Sequence, residues 1–188
     1  MKLSRNLKIA INAALTAGEE ILKIYISADF KVEYKSDKSP LTIADKNAHT
    51  IIERALLKTK IPILSEEGDD FDYNQRENLR KLWIVDPLDG TKEFIKKNDE
   101  FTVNIALIEN KRPTLGVIYA PALKLLYFSE EKLGSYKLVL KNPLLSTLDY
   151  SLALKLPISI NKNRYAVVTS RSHLNKDTLS YIENLKKI

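Results

Sequence analysis

One stretch constrains this chain more than any other: Leu82-Trp83-Ile84-Val85-Asp86-Pro87-Leu88-Asp89-Gly90-Thr91-Lys92-Glu93-Phe94. Its apolar, β-branched opening predicts a buried strand, Asp86 to Asp89 a turn, and Thr91 onward a short helix. Asp86 and Asp89 stand three residues apart with Pro87 stiffening the bend, so both carboxylates and the Leu88 carbonyl can meet at one point. An all-oxygen set of this kind suits a hard cation, magnesium before zinc. Gly90 has no Cβ and lets backbone approach a ligand, while the amides of Gly90, Thr91 and Lys92 would lie at a helix N-terminus, where a phosphate is favoured. Asp-Pro and Asp-Gly are also ordinary turn dipeptides, so the stretch alone leaves a metal site and a plain turn both open.

Upstream, Leu7, Ile11, Ala14, Leu15, Gly18, Ile21, Leu22 and Tyr25 recur at helical spacing, which predicts a long amphipathic helix over about 4–26. Residues 30–35 alternate like a strand, and Lys35 to Pro40 form a polar turn. Thr42 is a candidate N-cap for a helix running to about Lys58, with Asp45 in its first turn. Asp45 is there either as a capping partner or as a catalytic carboxylate. Ile61 to Leu64 predicts a short strand that delivers Glu66 and Glu67 at its end, as a loop face or as a second metal arm. Residues 69–80 read as an irregular connection, with Asp69, Asp70 and Asp72 in solvent. Downstream, Glu100–Glu109, Thr114–Tyr119, Leu125–Phe128 and Tyr136–Leu140 predict an antiparallel meander. Pro143 and Pro157 weaken the pattern over 141–162, which marks a domain boundary. A strand over 165–169, an exit loop Ser170-Arg171-Ser172-His173 and a helix over 175–188 follow. His49 reads as a packing residue in the second helix, and His173 as a loop residue or an anion contact.

Composition narrows the function classes. The 188 residues contain no cysteine and two histidines, which excludes disulfides and thiolate metal sites and disfavours a zinc centre. Met1 to Leu7 lead into a charged amphipathic helix, so no signal peptide is read, and no apolar run is long enough to span a membrane. These features point to a cytoplasmic protein, at most peripheral at the inner membrane. The net charge of +6 is spread as lysines along the chain, which argues for a solvated surface and against nucleic-acid binding.

Taken together, Ser39-Pro40-Leu41-Thr42-Ile43-Ala44-Asp45, Leu64-Ser65-Glu66-Glu67, Trp83 to Phe94, Phe101 to Ile108, Gly116 to Pro121 and Ser170 to His173 resemble, in order, the motifs of the inositol monophosphatase superfamily of magnesium-dependent, lithium-sensitive phosphatases. The Thr-Lys-Glu-Phe ending of the central motif is similar to its bacterial 3′(2′),5′-bisphosphate nucleotidase branch more than to the inositol phosphatases, which more often end Thr-Asn-Phe. The resemblance implies an α+β fold, the layered αβαβα sugar-phosphatase arrangement, with residues 1–150 forming a metal- and phosphate-binding domain and 151–188 beginning a second α/β sub-domain. It implies two or three Mg²⁺ ions held by Glu66, Asp86, the Leu88 carbonyl and Asp89. Asp45, Thr91 and Glu67 would be the catalytic residues, and Glu66, Asp89, Gly90, Thr91 and Lys92 would contact substrate. The implied substrate is a phosphorylated nucleotide, adenosine 3′,5′-bisphosphate yielding AMP and phosphate in connection with sulfate assimilation; an inositol phosphate is the alternative.

One departure bears on these expectations. The family carries a Trp-Asp-x-Ala-Ala-Gly type motif after the Ser-Arg-Ser-His segment, whose Asp completes the second metal site, and Trp83 is the only tryptophan here. The resemblance then implies a truncated second sub-domain and impaired turnover. A non-catalytic fragment, or half of a split enzyme with a partner chain supplying the missing C-terminal half, are the alternatives.

Overall fold

The computed structural model describes residues 1–27, 29–35, 40–68, 72–141, 148–158, 167–169 and 174–185. Helix α1, Arg5–Ser27, follows the apolar periodicity and buries Leu7, Ala10, Ile11, Ala14, Ala17 and Ile21. Ser4 caps it, its Oγ accepting from the Leu7 amide at 3.1 Å. At Gly18 an added Cβ would stand 2.3 Å from Cε1 of Tyr119. The missing side chain is what lets the helix lie against the sheet at that point. Helix α2, Ile43–Leu56, starts in a capping box: Thr42 accepts from the Ala44 amide and the Asp45 carboxylate accepts from the Thr42 amide. Ala44, Ala48, Ile52 and Leu56 face inward, and a single 3-10 turn, Leu57–Thr59, ends the run.

The two helices cover one face of a seven-stranded sheet in the order β3 (Ile63–Ser65), β4 (Lys81–Asp89), β5 (Thr102–Glu109), β6 (Arg112–Ala120), β7 (Leu125–Glu130), β8 (Gly134–Val139) and β9 (Leu154–Lys155). β3 runs parallel to β4 and every other pair is antiparallel. Register explains the core. Trp83 lies opposite Leu107 and Leu107 opposite Leu115; Val85 lies opposite Ile105, and Ile105 opposite Val117, which faces Phe128. All of these side chains are buried on the helix-covered face, as the two-residue period of a strand requires. The opposite face carries Ile84 and Ile118, 42% and 47% exposed, so it is the half-wet side. A small hairpin, β1 (Glu33–Tyr34) with β2 (Pro40–Leu41), precedes α2.

Three expectations need correction. The turn at Asp86 to Asp89 is strand: β4 runs to Asp89, with Asp86 opposite Asn104, Asp89 opposite Thr102 and a bulge between. Pro87 has no amide to give a ladder, so it is accommodated by the irregularity. The strand over 30–35 shrinks to β1, which among the described residues pairs with the two-residue β2 alone. The connection at 69–80 contains a short helix α3, Tyr73–Glu77, with the exposed Asp72 at its start donating its amide to Gln75 Oε1; residues 69–71 lie outside those described.

The chain divides into two compact units, Met1–Leu156 and Pro157–Ile188. In the second, helix α5, Lys176–Leu185, is capped by Asn175, whose Oδ1 accepts from the amide and the hydroxyl of Thr178, both at 2.8 Å. Residues 167–169 of the strand expected at 165–169 are exposed and carry no strand, and no strand partner stands among the described residues of this unit. Residues 165 and 166 and the segment Ser170 to His173 lie outside the described residues.

Candidate metal and phosphate site

The site gathers where β3 and β4 end and where α2 and the short helix α4, Thr91–Ile95, begin. Ser65 pairs with Val85, and the Glu66 amide still donates to the Val85 carbonyl at 3.0 Å, which brings Glu66 alongside Asp86. The Asp86 carboxyl is half-buried, and its Oδ1 has no hydrogen-bond partner among the described residues. Burial first, then the negative charges of Glu66 and Asp89 and a hydrogen bond with Glu66, push its pKa up to about 7. A carboxylate placed so has unmet demand for a positive charge.

The β4 bulge turns Asp89 outward, where its Oδ2 accepts from Asn104 Nδ2 at 3.0 Å; Asn104 Oδ1 in turn accepts from Thr102 at 3.1 Å. Gly90 follows with φ +93°, and a Cβ there would stand 2.8 Å from the Glu100 carbonyl, so the close turn into α4 needs glycine on both counts. Thr91 is the junction of the site. Its hydroxyl has one proton and two acceptors, Asp45 Oδ1 at 3.1 Å and the Leu88 carbonyl at 3.2 Å. Asp45 is 1% exposed, and its other oxygen accepts from the Thr42 amide at 2.7 Å and the Thr42 hydroxyl at 2.6 Å. Burial raises its pKa, and the hydrogen bonds from Thr42 and Thr91 act against that rise. The capping and catalytic readings of Asp45 therefore describe two oxygens of one group.

Glu67 is held by Lys35, whose Nζ lies 2.6 Å from Glu67 Oε1 and 3.2 Å from Glu66 Oε1. Burial raises the Glu67 pKa, with the Lys35 hydrogen bond opposing. For Lys35, burial works against the charge, but the bonds to Glu67 and Glu66 outweigh it and the ammonium is raised. Lys92 is exposed on α4. His49 donates to or accepts from Ser65 Oγ at 2.9 Å, a packing role next to the end of β3.

The named groups thus fall into linked sets: Thr91 on Asp45 and the Leu88 carbonyl, Asp86 beside Glu66 and Asp89, and Glu67 with Glu66 on Lys35, while Lys92 faces solvent. Lys35 and Asn104 were missed. Lys35 sits in what reads as a polar turn and gives no signal. Asn104 occupies the polar phase of the β5 alternation beside Asp89, and that position could have flagged it. Among the described residues no three His, Cys, Asp or Glu side chains close around a common point. The donor chemistry nevertheless fits a hard cation: Asp86 offers a buried oxygen with no partner among the described residues, the Leu88 carbonyl lies two residues on, and Glu66 and Asp89 stand exposed at the rim, each with a carboxylate oxygen.

Comparison with known proteins gives the family of the chain. The 3′(2′),5′-bisphosphate nucleotidase CysQ of Salmonella typhimurium is 52% identical over 122 residues, 63% of this chain and 49% of that protein. The CysQ of Buchnera aphidicola is 41% identical over 183 residues, 92% of this chain and 62% of that protein. The chain therefore spans about half to three fifths of these curated relatives. The crystal structure of CysQ from Bacteroides thetaiotaomicron superposes with a TM-score of 0.82 at 47% identity, covering 97% of this chain and 68% of that one. The model of the inositol monophosphatase family matches residues 2–186, the span that carries Asp45, Glu66, Asp86, Asp89 and Thr91, and the chain belongs to that family.

Proposed function

We propose that this site is a magnesium-dependent phosphomonoesterase acting on a 3′(2′),5′-bisphosphate nucleotide and releasing phosphate. The observation that carries the reading is the hydrogen bond from Thr91 to the buried Asp45, set beside the unpartnered oxygen of Asp86. Glu66, Asp86 and the Leu88 carbonyl would hold one ion, and Asp86 with Asp89 a second. Bound there, Mg²⁺ supplies charge neutralisation for a phosphate and lowers the pKa of water. The remaining work belongs to the chain. Thr91 can accept a hydrogen bond from an attacking water while passing its own proton toward Asp45 Oδ1, whose partner oxygen is already fixed by Thr42. Glu67, kept in place by Lys35, supports that proton transfer. The backbone of Gly90 and Thr91, with Lys92, would meet the phosphate oxygens. Asn104 orients Asp89 through its 3.0 Å bond.

The Lys-Glu-Phe ending at Lys92–Phe94 and the likeness to CysQ proteins favour a bisphosphate nucleotide over an inositol phosphate. The test is magnesium-dependent phosphate release from adenosine 3′,5′-bisphosphate and from inositol 1-phosphate, with Asp89→Asn as control. Release from the nucleotide that the control loses is the expected result. Release from neither substrate by folded protein would sink the activity for this chain, and preference for the inositol ester would overturn the substrate.

A further inference from the structure

Lys35 has so far served only to hold Glu67, yet its ammonium also reaches Glu66, a second carboxylate of the site. It comes from the strand-end after β1, outside the large sheet, and reaches Glu67 Oε1 at 2.6 Å and Glu66 Oε1 at 3.2 Å. The two bonds are unequal in setting as well as length. The Glu67 side chain is 10% exposed and that of Glu66 55%. The bond to Glu67 is therefore the anchor, and the bond to Glu66 reaches across to a rim group that can turn away.

We propose that Lys35 is an internal counter-ion that competes with a divalent cation for Glu66 and thereby sets the cation affinity of the site. The inference rests on the metal-dependent reading above. Glu66 is tied by its backbone to Val85, beside Asp86. Glu66 meets Asp86 and the ammonium at once, so an ion shared by Glu66 and Asp86 competes with the ammonium for the Glu66 charge, and that ammonium, anchored on Glu67, repels the incoming cation. Both effects weaken cation binding, and both disappear when the charge is removed. A guanidinium in the same place keeps the repulsion and the competition.

The test is calorimetric titration of the full chain with MgCl₂, with the rise in melting temperature on adding MgCl₂ as a second readout that needs no turnover. Lys35→Met is expected to bind Mg²⁺ about three- to tenfold more tightly, the size of a partly exposed charge pair. Lys35→Gln repeats the charge removal should the Met variant fold poorly, and Lys35→Arg should stay within about twofold of the parent. Asp86→Asn serves as the reference for a lost ligand. Unchanged or weaker Mg²⁺ binding in both neutral variants, with binding still lost in Asp86→Asn, would overturn the counter-ion role and leave the metal reading standing. Mg²⁺ binding that is absent in the parent and in both neutral variants would overturn the metal reading and this inference together.

Discussion

Asp45 gives two different outcomes depending on what replaces it. Its Oδ2 accepts two bonds from Thr42, at 2.7 and 2.6 Å, and its Oδ1 accepts from Thr91. Asp45→Ala removes both halves. The lost capping box costs about 1 kcal/mol, and the buried Thr42 amide and hydroxyl, which lose their Asp45 acceptor, add about 1–3 kcal/mol. Avoiding a desolvated carboxylate returns part of this, so the net loss should be about 2–4 kcal/mol. Asp45→Asn is different. The amide oxygen can stay on the two Thr42 donors, which leaves the NH₂ facing Thr91. Loss of the charge at the start of α2 costs about 0.3–1 kcal/mol. Against that, the raised pKa of Asp45 means folding favours its neutral form: the carboxyl contributes stability at pH below its ordinary range and loses it as pH rises through the folded value. A permanently neutral isostere escapes that loss at pH 7, and Asp45→Asn should stay within about 1 kcal/mol of the parent.

The two halves separate in function as well. With Asn the NH₂ donates to Thr91, whose hydroxyl can then donate only to the Leu88 carbonyl, 3.2 Å away. Residue 45 can no longer take a proton from Thr91, and phosphate release should fall by about 10²–10⁴. Urea denaturation of parent, Asp45→Asn and Asp45→Ala, paired with phosphate release by the first two, reads both arms. Equal destabilisation by the two substitutions, or a loss below about 1 kcal/mol for Ala, would refute the assignment of Oδ2 to the cap. Activity in Asp45→Asn within about threefold of the parent would refute the proton path.

Other residues give shorter tests. Gly18→Ala should destabilise by about 1–3 kcal/mol in denaturant titration, because the 2.3 Å approach to the buried Tyr119 ring outweighs the gain of about 1 kcal/mol in helix propensity. Gly90→Ala combines φ +93° with a 2.8 Å clash against the Glu100 carbonyl; it should lower the melting temperature by several degrees and phosphate release with it, and an unchanged melting curve would be the contrary result. Tyr119→Phe removes a buried hydroxyl that has no partner among the described residues, so at pH 7 its stability should equal the parent's or exceed it by about 1 kcal/mol. Tyr119 also supplies the pH test. Burial, then Glu19, raise its pKa from 10.0 to about 12, so its contribution is intact below pH 10 and is lost as pH rises toward 12, by on the order of 2–3 kcal/mol. The Phe variant should show a correspondingly shallower decline over that interval in urea titrations.

What the sequence disclosed and what it withheld divide along a physical line. Both long helices and the meander were legible because burial of one face imposes a period, 3.6 residues in α1 and α2 and two in β4 to β8, and a period can be counted. The acidic group was legible because Asp86, Asp89 and Gly90 lie within one short span. The errors fall where the outcome depends on a partner that the local sequence does not contain. Asp86 to Asp89 reads as a turn by composition, but β5 runs alongside and holds Asp86 opposite Asn104 and Asp89 opposite Thr102, so the segment stays in the ladder and only bulges. That difference has a chemical consequence. A free turn would let both carboxylates swing on one loop, whereas a bulged strand fixes Asp86 inward and presents Asp89 to Asn104 on the neighbouring strand. Lys35 follows the same logic: 31 residues from Glu66, it is invisible to any motif and is placed only by the β1–β2 hairpin. The proposed ligands Asp86, Leu88 and Asp89 are thus encoded within one short span, while Glu66 and the groups that aim and neutralise them are brought in by the fold, so substitutions at Asn104 or Lys35 should tune cation affinity without altering which ligands bind the ion.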